Sequence, residues 1–324
     1  MKLITILVPA YNEEEVIEQF YTKVISIIDT ISSYNFEILF VNDGSKDNTN
    51  TIIKNLRLID PRVSYIDLSR NYGKETAMAA GFDYARGDAV IVMDADLQHP
   101  PEVIPEMIYF WNQGYDDVYA TRVKRESEPW LKRITSKTYY RLLQKTTNIP
   151  ILPDAGDFRL LDRRCIEALK KLRESQRYTK GMYSWIGFKK KEIAFEAGPR
   201  AGGETKWNYS KLIELALEGL TSFTTFPLRL SSILGFVISI LSFIYLFFII
   251  VQTIVFGSNV SGYPSLMVVI LFLGGIQLIS LGIIGEYLGR IFNETKNRPL
   301  YYVDEYNNEK EINGEEKVYV KRNV

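Results

Sequence analysis

Short β-rich runs alternate with helix-period segments from the N-terminus to about residue 122. "LITILVPA" predicts a strand, and Val16, Phe20, Val24, Ile27 and Ile31 then recur every three or four positions, one face of a helix. "FEILFVND" predicts the next strand and "SKDNTNTIIKNLRLI" a helix capped by Ser45 or Asp47. "VSYIDLS" with "KETAMAAGFDYA", then "AVIVMDA" with "PEVIPEMIYFWNQG", repeat the unit, and "DDVYATR" predicts a fifth strand. Strands that alternate with helices imply a mainly parallel sheet covered on both faces, an α/β fold.

The pattern changes after Arg122. "WLKRITSKTYYRLLQKTT" is basic and aromatic, with Trp130, Ile134, Tyr140 and Leu143 on one face. Such a helix suits either a membrane surface or the flank of the sheet. "YSKLIELALEGLTSFTTFPLRL" is a second juxtamembrane candidate. From Leu230 to Gly285 there is no Asp, Glu, Lys or Arg. Two stretches there, 230–256 and 265–285, predict transmembrane helices, each above the ~20 residues that cross a bilayer. Gln252 and Gln277 are their notable polar residues, suited to bonds between helices. Lys206, Lys211 and Arg229 precede the pair, Arg290, Lys296 and Arg298 follow it, and the link "GSNVSGYP" has no basic residue. Both ends are therefore expected in the cytosol, at the plasma membrane. The expected divisions are a cytosolic domain over 1–229, a two-helix membrane region over 230–285 and a cytosolic tail over 286–324, whose charged end "DEYNNEKEINGEEKVYVKRNV" is expected to be mobile, with a short strand at "KVYV".

Charge and cysteine content narrow the classes. The chain has 39 basic and 39 acidic residues, so no global charge points to nucleic acid. Cys165 stands alone, which excludes a disulfide framework. The first residues do not read as a signal peptide. Three predicted strands end in polar clusters: "YNEEE", "NDGSKD" and "DADLQH". Ligands of such sheets bind beyond the carboxyl ends of the strands, so Asp43, Asp94 and Asp96 are expected at one edge. Asp94, Asp96 and Gln98 alternate along the chain and can converge on a cation, and oxygen ligands suit Mg²⁺ or Mn²⁺. The plainer reading makes Asp96 a helix cap. His99, the sole histidine, is either a structural residue or a weak ligand. No Walker glycine loop and no G-x-G-x-x-G follows a strand.

"VPAYNEEE", "FVNDGSKDNT", "NYGKETAMAAGFDYARGD", "DADLQHPPE", "GDFRLLDRR" and "AGGETKWNYSKL" together resemble family 2 glycosyltransferases of the GT-A fold. Within them the chain is most similar to polyprenyl-phosphate glycosyltransferases of the bactoprenol glucosyltransferase type, with dolichol-phosphate mannose synthases as cousins. The resemblance covers about 3–289. It implies that Pro9, Tyr11, Glu13, Asp43, Lys74 and Asp94 bind the nucleotide sugar. It implies that Asp94, Asp96 and Gln98 hold the metal, that Asp157 and Asp96 serve catalysis, and that Arg159, Arg200 and Lys206 meet the acceptor phosphate.

The implied reaction is inverting transfer of a hexose, glucose from UDP-glucose being the nearest match, to undecaprenyl phosphate at the cytosolic face. The product would serve cell-surface glycosylation. Other donors of the GDP-mannose, UDP-N-acetylhexosamine or UDP-aminoarabinose type stay open, as do self-association, the choice of metal, and whether Asp157 is a base or a positioning group. A processive polysaccharide synthase is disfavoured because no Q-x-x-R-W follows the acidic motif. A non-catalytic membrane scaffold is disfavoured by the intact acidic motif and Asp157.

Overall fold

The computed structural model describes residues 1–123, 144, 155–196, 226–256, 262–307 and 309–310. It divides into two units, Met1–Leu215 with Arg298–Val324, and Ala216–Asn297.

The first unit is a GT-A-like α/β fold on a single sheet. Four strands, β1 (Leu3–Ala10), β2 (Asn35–Asn42), β3 (Val63–Leu68) and β4 (Ala89–Val92), pair in parallel in the order β4-β1-β2-β3. The helices α1 (Ile17–Ile28), α2 (Thr49–Ile59), α3 (Lys74–Tyr84) and α4 (Ile104–Asn112) connect them and lead to β5 (Asp117–Arg122). Both faces of the central strands are covered, so Ile4, Ile6 and Val8 on one side of β1 and Leu7 on the other are all buried. The fully buried face of α1 is Ile17, Phe20, Val24 and Ile28, with Val16 buried just before it and the expected Ile27 and Ile31 partly buried against the same core. The helix stops at Ile28, and a 3.6-residue period brings Ile28 under the seam with Val24. α2 begins at Thr49 without a side-chain cap bond at Asn48. Asp47 accepts from the Thr49 N–H, while Ser45 turns away to accept from Asn12.

β6 (Ala155–Asp162) is inserted antiparallel between β4 and β5, and β7 (Lys190–Phe195) adds in parallel outside β5. Two short helices, α5 (Arg163–Lys170) and α6 (Thr179–Trp185), join β6 to β7. Because β6 runs backwards, its first residues lie at the carboxyl edge of β4.

The far edge of the sheet differs from expectation. Residues assigned by the sequence to a mobile tail form β8 (Val303–Tyr306), antiparallel to β3, with β9 (Glu309–Lys310) beyond it. Glu305 is the reason. Its carboxylate accepts from Lys54 at 2.7 Å and from the Tyr65 hydroxyl at 2.5 Å, and Asn307 accepts from the Tyr65 N–H at 2.9 Å. Tyr301 adds a hydroxyl bond to Asp83 on α3, and Tyr306 packs on Tyr84. "KVYV" lies outside the described residues, as does the basic aromatic segment 130–143 and the juxtamembrane segment 209–225.

The second unit is a pair of long helices, α7 (Phe226–Phe256) and α8 (Tyr263–Thr295), the latter running past the expected end at 285. A groove between them is lined by Ser239, Ser242, Gln277 and Ser280 among apolar side chains. Among the described residues one stretch, Phe272–Thr295, is long and apolar enough to cross a membrane, and Leu230–Tyr245 is a shorter apolar stretch.

α3 packs on β1 at Gly81, where an added Cβ would run into the buried Leu7 side chain. Overpacking of this kind costs about 1–3 kcal/mol. Gly81→Ala is therefore expected to lower the thermal unfolding midpoint of the detergent-solubilised protein, followed by intrinsic fluorescence. An unchanged midpoint would show that Leu7 yields.

Candidate active site

The loops after β1 and β2 are cross-braced at the carboxyl edge. Asn12, in the left-handed region at φ 53°, donates its N–H to Ser45 and accepts from the Lys46 N–H. Glu13 donates its N–H to Thr49 at 2.8 Å, and Glu14 donates its N–H to Asp47. Pro9, Tyr11 and Glu13 are half-buried at this edge. Asp43 is buried, and both its carboxylate oxygens accept loop N–H groups, from Tyr72 at 2.7 Å and Gly73 at 2.9 Å. Burial raises its pKa, and these two bonds oppose the rise. Beside it, Gly44 has φ 64° and its Cβ would lie 2.5 Å from the Arg70 carbonyl carbon, so the loop seats only on glycine. The bonds seen for Asp43 thus anchor the loop that leads to Lys74.

Lys74 opens α3 and reaches across to two strands. Its ammonium lies 2.7 Å from Asp94 and 3.0 Å from Asp157. Burial alone would lower its pKa, but the two carboxylates outweigh burial and raise it, so the ammonium stays charged. Asp94 follows β4, and Asp157 sits near the start of β6. The Val92–Arg159 pairing of those antiparallel strands, continued past the end of the ladder, brings the two together. Burial pushes Asp157 up, while Lys74 and Lys180 pull it down further, leaving it ionised below the usual carboxylate range. One of its oxygens, Oδ1, is buried without a hydrogen-bond partner among the described residues. A buried carboxylate oxygen left so is costly, which makes it a place for a ligand group.

Asp96 accepts from the Gln98 N–H at 3.1 Å in a turn through Leu97, whose φ is 60°. It lies well before the 3₁₀ turn Pro101–Val103 that precedes α4, which removes the helix-cap reading. His99 is structural. Its Nδ1 accepts the Asp94 N–H at 3.0 Å, and its ring stacks on Phe158 at 4.7 Å. Burial lowers its pKa, which suits the neutral ring that this bond requires.

The side chains of Asp94 and Asp96 fit a hard divalent cation by chemistry. Among the described residues no group of three or more His, Cys, Asp or Glu gathers to hold one unaided, so a cation here would need oxygens from a bound phosphate. Among the described residues Asp157 Oδ1 is one of several buried side-chain atoms without a hydrogen-bond partner, so it can accept a ligand group without giving one up.

Arg159 departs from expectation. It is 1% exposed, and its guanidinium is held by Asp117 at 3.0 Å and by the Gly156 carbonyl at 2.8 Å. It offers no open face to an acceptor phosphate. Inward orientation follows from the buried Asp117, an acid in the middle of an apolar strand start that needs a partner. Arg200 and Lys206 lie outside the described residues. The sequence did not single out Glu75, which accepts from the N–H and hydroxyl of Thr179 and so ties α3 to α6. Burial and the Asp157 charge raise its pKa. The sign available was its place beside Lys74 at the head of α3.

Comparisons agree with this architecture. The family described as "Glycosyl transferase family 2" matches residues 5–170, and one described as "GtrB C-terminal hairpin" matches residues 226–291. A prophage bactoprenol glucosyl transferase homolog of Escherichia coli is 47% identical over 300 residues, covering 93% of this chain and 98% of that one. An uncharacterized glycosyltransferase of Synechocystis is 47% identical over 302 residues, covering 93% and 95%. A crystal structure of glucosyl-3-phosphoglycerate synthase from Mycobacterium tuberculosis, in complex with Mn²⁺ and UDP-glucose, matches with a TM-score of 0.42 and 16% identity, covering 66% of this chain and 75% of that one. With a carboxyl-edge acidic site on this sheet and relatives along nearly its whole length, the chain belongs to glycosyl transferase family 2.

Proposed function

We propose that the protein transfers glucose from UDP-glucose to undecaprenyl phosphate at the cytosolic membrane face, giving a lipid-linked sugar for cell-surface glycosylation. The observation that carries the reading is the meeting of Asp94 and Asp157 around Lys74, with an unpartnered Asp157 oxygen at the edge where sheets of this kind bind ligands. The relatives named bactoprenol glucosyl transferase, matched over 93% of the chain, support the choice of sugar and lipid. The soluble division over 1–229 carries the chemistry. The helices α7 and α8 cross the bilayer with both chain ends in the cytosol, and β8 after them belongs to the sheet.

Each side chain has a defined task in this reading. Pro9, Tyr11, Glu13 and the Asp43-anchored loop frame the nucleotide. Lys74 keeps a positive charge beside the donor diphosphate. Asp94 and Asp96, with Gln98 next to them, hold Mg²⁺ or Mn²⁺, which neutralises charge on the departing diphosphate when bound. The attacking oxygen needs little activation, because a phosphate monoester already carries about −1.5 to −2 charges at neutral pH. Asp157, ionised, therefore faces positive charge that develops on the sugar carbon rather than serving as an obligatory base. Arg200 and Lys206 receive the acceptor phosphate. Attack opposite the leaving group inverts the anomeric centre.

Purified protein with Mg²⁺, undecaprenyl phosphate and a panel of UDP- and GDP-sugars tests the whole reading. Mass spectrometry is expected to find hexosyl-phosphoundecaprenol with UDP-glucose; a folded protein that loads no sugar from any donor would sink it. Asp96→Asn is expected to remove nearly all transfer while the melting curve stays within a few degrees, and wild-type turnover would take Asp96 out of the site. Chelation should abolish transfer, with Mg²⁺ or Mn²⁺ restoring it. For topology, Gly262→Cys is expected to react with a membrane-impermeant maleimide in intact cells and Thr295→Cys only after lysis, because the native Cys165 is buried. The reverse pattern would contradict the orientation.

A further inference from the structure

β6 is not regular where it carries Asp157. Its ladder with β5 pairs Tyr119 with Arg159 but Thr121 with Ala155, so three residues, Gly156 to Phe158, oppose the single Ala120. This is a bulge, a device that bends a strand and re-aims a side chain, frequent beside active sites. The bulge begins with a glycine, whose backbone is the most permissive, and among the described residues an added Cβ there would come no nearer than 3.8 Å to another atom, the Phe158 nitrogen. Nothing about Gly156 itself therefore fixes the direction in which Asp157 leaves the strand.

Arg159 does. Its Nη2 donates to the Gly156 carbonyl at 2.8 Å, closing the bulge from end to end. Its Nη1 donates to Asp117, which is fully buried and also takes Lys190 at 2.8 Å. The flat guanidinium lies over the Tyr183 ring at 3.8 Å, and Lys190 donates to the Tyr183 carbonyl at 2.5 Å. One planar cation thus joins β5, β6 and α6, with β7 tied in through Lys190 on Asp117, and its bond to Gly156 is what reaches the bulge. A lysine at this position would keep the charge on Asp117 but lose the fork that serves two acceptors at once.

We propose that Arg159 is a positioning residue that staples the β6 bulge and so aims Asp157 at Asp94, acting on transfer through Asp157 and not through the acceptor phosphate. The inference rests on the reading of Asp157 as a group at the reacting centre.

The test separates kcat from the two KM values in Arg159→Lys, Arg159→Met, Asp157→Asn and the double variant of Arg159→Met with Asp157→Asn. Misplacement of a reacting group by about 1 Å costs on the order of 100-fold. Both Arg159 variants are expected to lower kcat about 10- to 100-fold with the KM for undecaprenyl phosphate within about two-fold of wild type. In the Asp157→Asn background the same change should lower kcat by less than about three-fold, since the two residues act as one unit. A rise of ten-fold or more in the acceptor KM with kcat retained would overturn the proposal in favour of phosphate contact. Full additivity in the double variant would overturn it also. Should Arg159→Met not fold, Arg159→Lys carries the test, because Asp117 stays paired and only the fork to Gly156 is lost. Wild-type turnover in Asp157→Asn would fail the reading of Asp157 itself, and the staple with it; a crippled Asp157→Asn beside a normal Arg159→Lys would fail the staple alone.

Discussion

Two ionised carboxylates from different strands sit side by side in a half-buried edge only with a cation between them; otherwise one takes up a proton. Asp94 and Asp157 do so here, and the Lys74 ammonium is that cation. Much of the surrounding structure serves this triangle. β6 must run against the parallel strands for its first residues to reach the end of β4. The loop before α3 must be pinned by Asp43 for Lys74 to emerge at the right height. His99 must be neutral and stacked to hold the Asp94 backbone. Each device uses neutral donors or balanced charge, so the net charge at the edge stays available for ligands.

The parallel half of the fold was legible because its signals are local. Apolar runs of strand length and faces of helix period lie within each element, and the observed strands β1 to β5 fall within a few residues of those read from the chain. Asp43, Asp94 and Asp96 were legible as positions, since acidic turns after strands gather at one edge, whereas Asp157, near the start of a strand, was marked only by the family resemblance. The role of Arg159 was not. Whether an arginine faces solvent or a buried acid depends on Asp117, far away in sequence and embedded in a strand that reads as ordinary. The edge strand β8 was hidden for the same reason. Its segment is polar and charged, and only Tyr65 and Lys54, brought by β3 and α2, give Glu305 a place to go.

The hairpin and the sheet expose different surfaces. In α7 and α8 the exposed apolar side chains, such as Phe236, Phe243 and Leu278, are the rule, whereas in the sheet the same residue types are buried. Four polar residues of the hairpin, Ser239, Ser242, Gln277 and Ser280, line the groove between the helices.

The pairing of β8 with β3 also bears on how the chain is made. Asn307 meets Tyr65 across 242 positions, and both long helices lie between them in the order of synthesis. Domains generally fold from the N-terminus as they emerge, and such distant contacts form last. The strands β1 to β7 can assemble while the ribosome is still working, but the β3 edge has to wait. Its closing strand is made only after both long helices, so the enzyme's sheet becomes complete only once α7 and α8 have been synthesised.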